Sequence, residues 1–403
     1  MLKSLRLHNF KTFLNAEFHF AQRHLLIGKN NSGKTNLCAA LRFLSMTRHV
    51  ELAQACGMIP GGIAEVRNWH VKSNQIELSI ECRLELDGRP IDFKYELVLA
   101  HEWNSRLVTV PEEPLKVVRE RLAAIVDGQL ETMLLENDGR GSKLTHERQV
   151  FEERREDAHS AVTLSPRNAT MLSKLYELGD ANRRAILFRN YLGSWRYFNL
   201  NPSEMRLARA PTAPAWPFSP DGSELANALF QLKNSDEPRY RRIIDRTRCI
   251  EPSLESVGFM IAPDQPPLPF VSLQGQPRAG WPGLSDGTLR ILALSCIIEV
   301  ASMFKSDSIP VPFLAIIEEP ENGIYPGILR QVHGFFEEWA PTAQFLFTSH
   351  SPYFIDMFDA DRKSVTVLRK AQDRTQVFVP PEPATATVDD SFTLSEEYAS
   401  ELF

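Results

Sequence analysis

Apolar and polar residues alternate at the start of the chain: Leu5 and Leu7 lie between polar neighbours, and so do Phe18 and Phe20. The run Leu25-Leu26-Ile27 then loses the alternation. Period two predicts strands, and the continuous apolar run predicts a buried one, so residues 2–27 read as strands. The pattern turns helical over Asn36–Ser45. Alternation returns over 75–100, through Ile76, Leu78, Ile80, Leu84, Leu86, Phe93, Tyr95, Leu97 and Leu99, with Asp87-Gly88 as a hairpin signal. An antiparallel meander is expected there. Residues 112–195 are densely charged and read as mostly helical, with a break at Asp138-Gly139-Arg140-Gly141. No heptad persists for three or four turns, so no long coiled coil is expected. Prolines 211, 214, 217 and 220 recur every third residue and predict a stiff extended segment. Helical patterns follow over about 223–250, 288–304 and 327–339, and buried strands over 313–317 and 344–348. The Pro/Gly-rich stretch 263–283 leads into LSDGTLR, and the last twenty or so residues read as a loosely held polar tail.

Composition narrows the class. With 403 residues, two to three structural units and a sizeable core are expected. A hydrophobic share of 43% and a charged share of 24% fit an ordinary globular chain. The formal charge of −6 argues against a generic basic coat for nucleic acid. Five cysteines (Cys38, Cys56, Cys82, Cys249, Cys296) form no CxxC pair, so no disulfide framework or zinc site is expected, and a reducing cytoplasm is the expected location. The longest apolar run, near Ile291–Phe304, is too short to span a bilayer, and MLKSLRLHNF lacks a secretory apolar region.

Two segments carry chemistry. Gly28-Lys29-Asn30-Asn31-Ser32-Gly33-Lys34-Thr35 fits GxxxxGK[ST] between a strand and a helix, with Asn36 opening that helix. In such a loop, backbone N–H groups and a helix N-terminus bind phosphate oxygens, the lysine bridges the β- and γ-phosphates, and the threonine ligates Mg²⁺. Phe313–Ile317 then runs as a buried strand into Glu318-Glu319. Adjacent carboxylates at a strand end need partners, and a phosphate loop supplies them. Glu318 can hold Mg²⁺ through water, and Glu319 can polarise an attacking water.

In chain order, GKNNSGKT, LSDGTLR (284–290), IIEEPENGIYP (316–326) and FTSHSP (347–352) resemble the core of the ABC-type, RecF/SMC-like ATPases, most closely the AAA-type group related to the OLD family. NLNPSEMRLA and DGSELANALFQL resemble that group's lid. The resemblance implies an α/β fold: a P-loop NTPase head with a mixed sheet and an antiparallel β-subdomain, plus an inserted, mainly helical lid or arm. It divides the chain into 1–110 (P-loop and meander), 111–265 (insertion), 266–375 (signature, Walker B, switch histidine) and 376–403 (tail). Ser285, Asp286, Gly287 and Thr288 would contact the γ-phosphate of ATP held by a second copy. Asn322 and Gly323 fall at the D-loop, which crosses between copies, and His350 falls at the switch histidine. ATP and Mg²⁺ are the implied cofactors.

Some positions depart from the family pattern. Glu318 stands where many relatives have Asp, and Tyr325 where relatives often have His. The Q-loop is not placed, with Gln54 and Gln75 both near its expected region. Lys11, in Asn9-Phe10-Lys11, is a further candidate for nucleotide contact. Arg239, Arg241, Arg242, Arg246 and Arg248 read as a solvated helix face with Ile243 and Ile244 inward, rather than a phosphate-backbone patch. Arg183, Arg184, Arg189 and Arg196 read the same way. The remainder after His350 is too short for the TOPRIM nuclease of OLD proteins. The expectation is an ATPase that closes as an ATP-dependent dimer or higher oligomer and regulates a separately encoded effector, such as a nuclease or toxin, in anti-phage defence. The alternative is a RecF-like DNA-binding ATPase of repair or recombination.

Overall fold

The computed structural model describes residues 1–102, 114–126, 129–139, 141–145, 159–162, 167–178, 182–207, 219–261, 267–303, 311–339, 342–372, 374–381 and 393–400. Among them, an eight-stranded antiparallel sheet has the order β2-β1-β4-β5-β6-β7-β8-β9. Its strands are β1 (Leu2–Phe10), β2 (Phe13–His19), β4 (Gln75–Leu86), β5 (Arg89–His101), β6 (Leu115–Val126), β7 (Gln129–Asn137), β8 (Ser142–Thr145) and β9 (His159–Val162). A six-stranded sheet has the order β10-β14-β15-β3-β16-β17. It is built from β3 (Arg23–Gly28), β10 (Trp195–Phe198), β14 (Leu314–Glu318), β15 (Gln344–Ser349), β16 (Val365–Ala371) and β17 (Arg374–Phe378). Only β17 runs antiparallel to its neighbour. A small sheet joins β11 (Leu254–Met260), β12 (Leu268–Leu273) and β13 (Gln276–Gly280). The helices are α1 (Lys34–Thr47), α2 (Leu52–Gly57), α3 (Arg183–Ser194), α4 (Pro202–Met205), α5 (Leu225–Ser235), α6 (Glu237–Ile250), α7 (Asp286–Met303), α8 (Pro326–Trp339), α9 (Pro352–Ile355) and α10 (Leu394–Ala399).

The parallel strands carry continuous apolar runs, such as Leu25–Ile27, Leu314–Ile317 and Phe345–Phe347, because both of their faces are covered there. Leu26, Leu314, Ile316, Leu346 and Leu368 join a core with α1 and the antiparallel sheet. Their neighbours Leu25, Ile27, Ala315, Ile317, Phe345, Phe347, Val365 and Val367 join a second core with α5 to α8. Alternate residues of one strand thus serve opposite layers, which places α1 between the two large sheets. The meander closes at Asp87-Gly88, where φ is 52° and 77°. Left-handed backbone at both turn positions suits a two-residue hairpin.

The helical expectation over 112–195 is corrected across 115–162, where the described residues form strands β6 to β9. Lys116, Arg119 and Arg121 lie on the less buried face of β6, while Leu115, Val117, Leu122 and Ala124 are buried. The charges belong to a half-solvated sheet rather than to a helix. The tail expectation is corrected at Leu394–Ala399, a helix with a capping box at Thr393 and Glu396. Leu394 is fully buried, Ser395 donates to Asp356, and Glu397 accepts from Arg362 at 2.8 Å. Asp138 and Gly139 sit at the turn between β7 and β8. Prolines 211, 214 and 217 lie outside the described residues.

One buried acid interrupts the alternation of β6. Glu120 is fully buried, accepting from the Tyr95 hydroxyl at 2.9 Å and from the Met171 and Leu172 amides at 2.6 and 3.3 Å. It thereby ties the strand to the 3₁₀ turn that starts at Met171. Burial outweighs these bonds and raises its carboxyl from 4.5 to about 7. The folded chain therefore binds this proton more tightly than the unfolded chain, and stability from this group falls as pH rises between those two values. Relative to Glu120→Gln, the parent should lose up to about 3 kcal/mol between pH 4.5 and 7. Urea midpoints at several pH values read this difference, and parallel pH profiles for the two proteins would refute it.

Candidate functional site

Three adjacent parallel strands end on one edge: β3 at Gly28, β14 at Glu318 and β15 at Ser349. Ligands of open α/β sheets sit at the carboxyl ends of such strands. A cleft of about 240 Å³ opens there, lined by Asn30, Asn31, Ser32, Gly33, Lys34, Thr35, Asn36, Glu318, Glu319, Thr348 and His350. That is smaller than the roughly 300–1,000 Å³ of pockets that enclose a whole small ligand. It fits the phosphate end of a nucleotide and leaves the rest open.

Loop packing explains the glycines. A Cβ on Gly28 would come 2.5 Å from the Leu368 carbonyl oxygen, and Gly33 has φ of 111°. Gly28, which is buried, and Lys29, which is exposed, are not in the lining of the cleft. Two residues outside the motif brace the loop. Thr375 Oγ1 donates to the Ser32 carbonyl at 2.9 Å and lies 2.9 Å from Thr12 Oγ1, whose hydroxyl can donate to it, and Asn36 donates to Thr12 Oγ1 at 3.0 Å. Thr12 and Thr375 escaped the sequence reading because they are hundreds of residues apart and carry no motif. Helix α1 begins at Lys34 with no side-chain cap, so its first-turn N–H groups remain for an anion. Lys34 is 8% exposed, and its ammonium donates to the Gly28 and Lys29 carbonyls. Burial lowers it to about 8, against the opposing pull of Glu319 and Glu318.

Glu318 Oε2 accepts from Asn199 at 3.2 Å, while Oε1 is buried with no hydrogen-bond partner. Burial raises the Glu318 carboxyl, with Cys38 and Tyr197 opposing. An orphaned carboxylate oxygen beside Thr35 is a place for a hard cation, so the donor set fits Mg²⁺. Glu319 adopts φ of 46°, a left-handed conformation that costs a non-glycine residue about 1–3 kcal/mol. Its amide is held by the Thr348 carbonyl at 2.9 Å, and its carboxylate accepts from Asn322. The bend turns the side chain into the cleft, 4.0 Å from His350 Nε2. Burial and Lys34 lower the His350 imidazole, partly offset by Glu319. Glu321 lies behind this pair, 7% exposed, accepting from Ser349 Oγ at 2.5 Å and from the His350 amide at 3.4 Å. It positions the histidine loop, a role that IIEEPENG did not reveal.

Ser285, Asp286, Gly287 and Thr288 lie outside this cleft. Ser285 caps α7, accepting from the Thr288 amide at 3.1 Å. Thr288 is 6% exposed, and its hydroxyl meets Ser285 Oγ at 2.8 Å. Asp286 pairs with Arg206 at 2.5 Å, and Arg206 also donates to the Leu284 carbonyl at 2.8 Å and the Pro282 carbonyl at 3.2 Å. Arg206, from the NLNPSEMRLA segment, thus fixes the loop that leaves Ser285 and Gly287 at the surface. Gly323 has φ of 70°, and its carbonyl would lie 2.8 Å from a Cβ on Gly287. Signature and D-loop therefore pack backbone to backbone within one chain. Lys11 does not line the cleft, and its ammonium donates to the Pro60 carbonyl at 2.7 Å. Neither Gln54 nor Gln75 lines the cleft.

The arginine block is taken up by acids. Arg239 pairs with Asp236, Arg241 with Glu237, Arg242 and Arg246 with Glu299, and Arg248 with Asp245. Ile243 and Ile244 are buried as expected. Arg183 and Arg184 pair with Asp87 and Glu131, and Arg189 donates to the Leu172 carbonyl.

A family model described as "AAA domain, putative AbiEii toxin, Type IV TA system" matches residues 23–356. No curated protein sequence matches the chain. Among solved structures, the SmcHead bound to the C-winged helix domain of ScpA is similar at 12% identity and a TM-score of 0.54, covering 94% of this chain and 97% of that one. The SMC head domain from Thermotoga maritima matches at 12% identity and a TM-score of 0.43, covering 94% and 99%. At this identity the first likeness speaks for the fold alone: an ABC-type P-loop head.

Proposed function

The chain belongs to this AAA-domain family and has the fold of a RecF/SMC-like ATPase head, and from that premise we propose that it binds and hydrolyses Mg-ATP at the Gly28–Thr35 cleft. The observation that carries the reading is the convergence of Lys34, Glu318, Glu319 and His350 on one phosphate-sized cleft. An arriving triphosphate would draw the Lys34 ammonium from the loop carbonyls and keep it charged, since the β- and γ-oxygens restore what burial removes. Thr35 and the orphaned Glu318 oxygen would hold Mg²⁺, which when bound neutralises phosphate charge. Glu319 would accept hydrogen-bond donation from the attacking water and orient it in line. His350, on the same carboxylate, would report the γ-phosphate to the loop that Glu321 anchors.

The site is open on one side. Ser285 and Gly287 are displayed at the surface, away from their own chain's cleft, which supports a second copy completing each site. Loss of the γ-phosphate would then remove contacts specific to the closed pair. The family description names a putative toxin of a Type IV TA system, which supports a second protein acting with this chain; that this partner is a separately encoded nuclease or toxin, in defence against phage, is part of the proposal. Location in the cytoplasm belongs to this reading. Among the described residues, no helix is long and apolar enough to cross a membrane. The paired arginines of α6 weaken the RecF-like alternative, because their charge is already met by carboxylates.

The test is phosphate release by the purified chain. Mg-ATP should be turned over, EDTA should stop it, and Lys34→Ala should remove it. Turnover that survives Lys34→Ala would place the activity elsewhere.

A further inference from the structure

A second cavity, of about 370 Å³, opens between α1 and β10. Arg42, Arg48, His49 and Arg196 line it together with Tyr197, and Glu224 is its one acidic lining residue. We infer that this cavity is an anion site of its own, taking the phosphate group of a small phosphorylated ligand.

The cations are placed by the fold. The Arg48 guanidinium lies against Gly193, where a Cβ would come 2.6 Å from Cζ. Glycine is the residue that leaves this space. Arg196 Nη1 donates to the Gly193 carbonyl at 2.5 Å and the Trp195 carbonyl at 2.9 Å. Arg42 Cζ stacks 5.2 Å from the centre of the Tyr197 ring. Three guanidiniums held this way lose little further freedom when a ligand binds, and their forked donors match phosphate geometry.

They also crowd each other. Burial, then Arg48, lower Arg196 to about 10, and burial followed by Arg48, Arg189 and Arg196 lowers the His49 imidazole. A phosphate would offset that repulsion. The volume falls within the roughly 300–1,000 Å³ of small-molecule sites. A recess between a helix and a strand suits a compact ligand better than a nucleic-acid backbone running over a surface.

The cavity and the phosphate cleft have separate linings, but one strand, β14, supplies Ile316 to the first and Glu318 to the second. Tyr197, on β10, and Asn199, two residues on and just past the strand, both act on Glu318. A ligand that moves Arg42 and Tyr197 would therefore reach the carboxylate proposed to hold Mg²⁺. This inference goes beyond the ATPase reading and is tested without turnover.

The experiment titrates pyrophosphate and inorganic phosphate into the full chain carrying Lys34→Ala, by calorimetry at fixed ionic strength. The expected result is one saturable site per chain. Adding Arg42→Gln or Arg48→Gln should weaken it at least about tenfold, the loss of one charge-assisted contact. Arg42 is only half buried, so Arg42→Gln should keep the parent's melting temperature. It decides the matter alone if Arg48→Gln fails to fold. Absence of saturable binding, or equal affinity in Arg42→Gln, would overturn the assignment and leave Arg196 serving the carbonyls at the end of α3 and Arg42 the Tyr197 ring. Tighter binding of a 5′-phosphorylated oligonucleotide than of pyrophosphate would overturn the small-ligand class in favour of a nucleic-acid end.

Discussion

Glu319→Gln is expected to lower kcat for ATP by about 10²- to 10⁴-fold while leaving nucleotide binding in place. The substitution keeps the shape and the donor from Asn322 but removes the charge that would accept from an attacking water. The strained φ of 46° at this position is held by the Thr348 carbonyl and so should persist in the variant. Lys34→Ala acts at the other end of the site and should weaken binding itself. The two variants separate the proposed closure cycle into its halves. With Mg-ATP, Glu319→Gln should accumulate the closed pair and shift the mass measured by light scattering toward a dimer or larger, whereas Lys34→Ala should not. A kcat within tenfold of the parent would remove Glu319 from its role. Equal masses for both variants, with and without ATP, would remove the ATP-driven pair.

The largest stability effect is expected far from the cleft. Glu299 and Arg246 have side chains 2% and 3% exposed, facing each other between α7 and α6 with a closest approach of 3.4 Å. Arg242 reaches the same carboxylate at 2.5 Å from a position 46% exposed, so solvent screens much of its share. Arg246 further donates to the Ser295 carbonyl at 2.8 Å. Burial pulls the Arg246 guanidinium down, and Glu299 opposes that pull. Glu299→Ala leaves a buried cation without its anion, a change that costs about 3–5 kcal/mol. Replacing both partners, as Glu299→Leu with Arg246→Met, should recover most of that loss, because two apolar groups of similar volume need no counter-charge. Urea unfolding of the single and double variants measures the difference. A single variant within about 1 kcal/mol of the parent, the size of an exposed pair, would show that the pair is solvated.

This pair also shows how a reading of charges alone stops short. The arginines of 239–248 and Glu299 are separated by a small sheet and the signature loop, so the sequence displays a basic block while the fold displays a neutralised one. Glu120 is the same lesson inside β6. A buried carboxylate breaks period two at the centre of the strand, and only the amides of Met171 and Leu172 and the hydroxyl of Tyr95 make it tolerable. A dense run of charges with one acid out of phase then reads as helix. Leu394–Ala399 reads as tail because its anchors, Asp356 and Arg362, lie across a segment of chain that no local pattern bridges.

What the sequence determined by itself is local. GKNNSGKT lies between a buried strand and a helix, and Glu318-Glu319 ends another buried strand. Turn geometry, strand burial and helix initiation act over a few residues, so both segments could be read in place. The tertiary structure decided what depends on distant partners. Thr12 and Thr375 brace the phosphate loop, Asn199 and Tyr197 reach Glu318, and Arg206 pins Asp286 while Thr288 turns inward. It also brought Arg42 of α1 and Arg48, just past its end, against Arg196 of β10. Hydrogen bonds and ion pairs act over a few ångströms of space whatever the separation along the chain, and residues brought together in this way carry no spacing for a sequence to display.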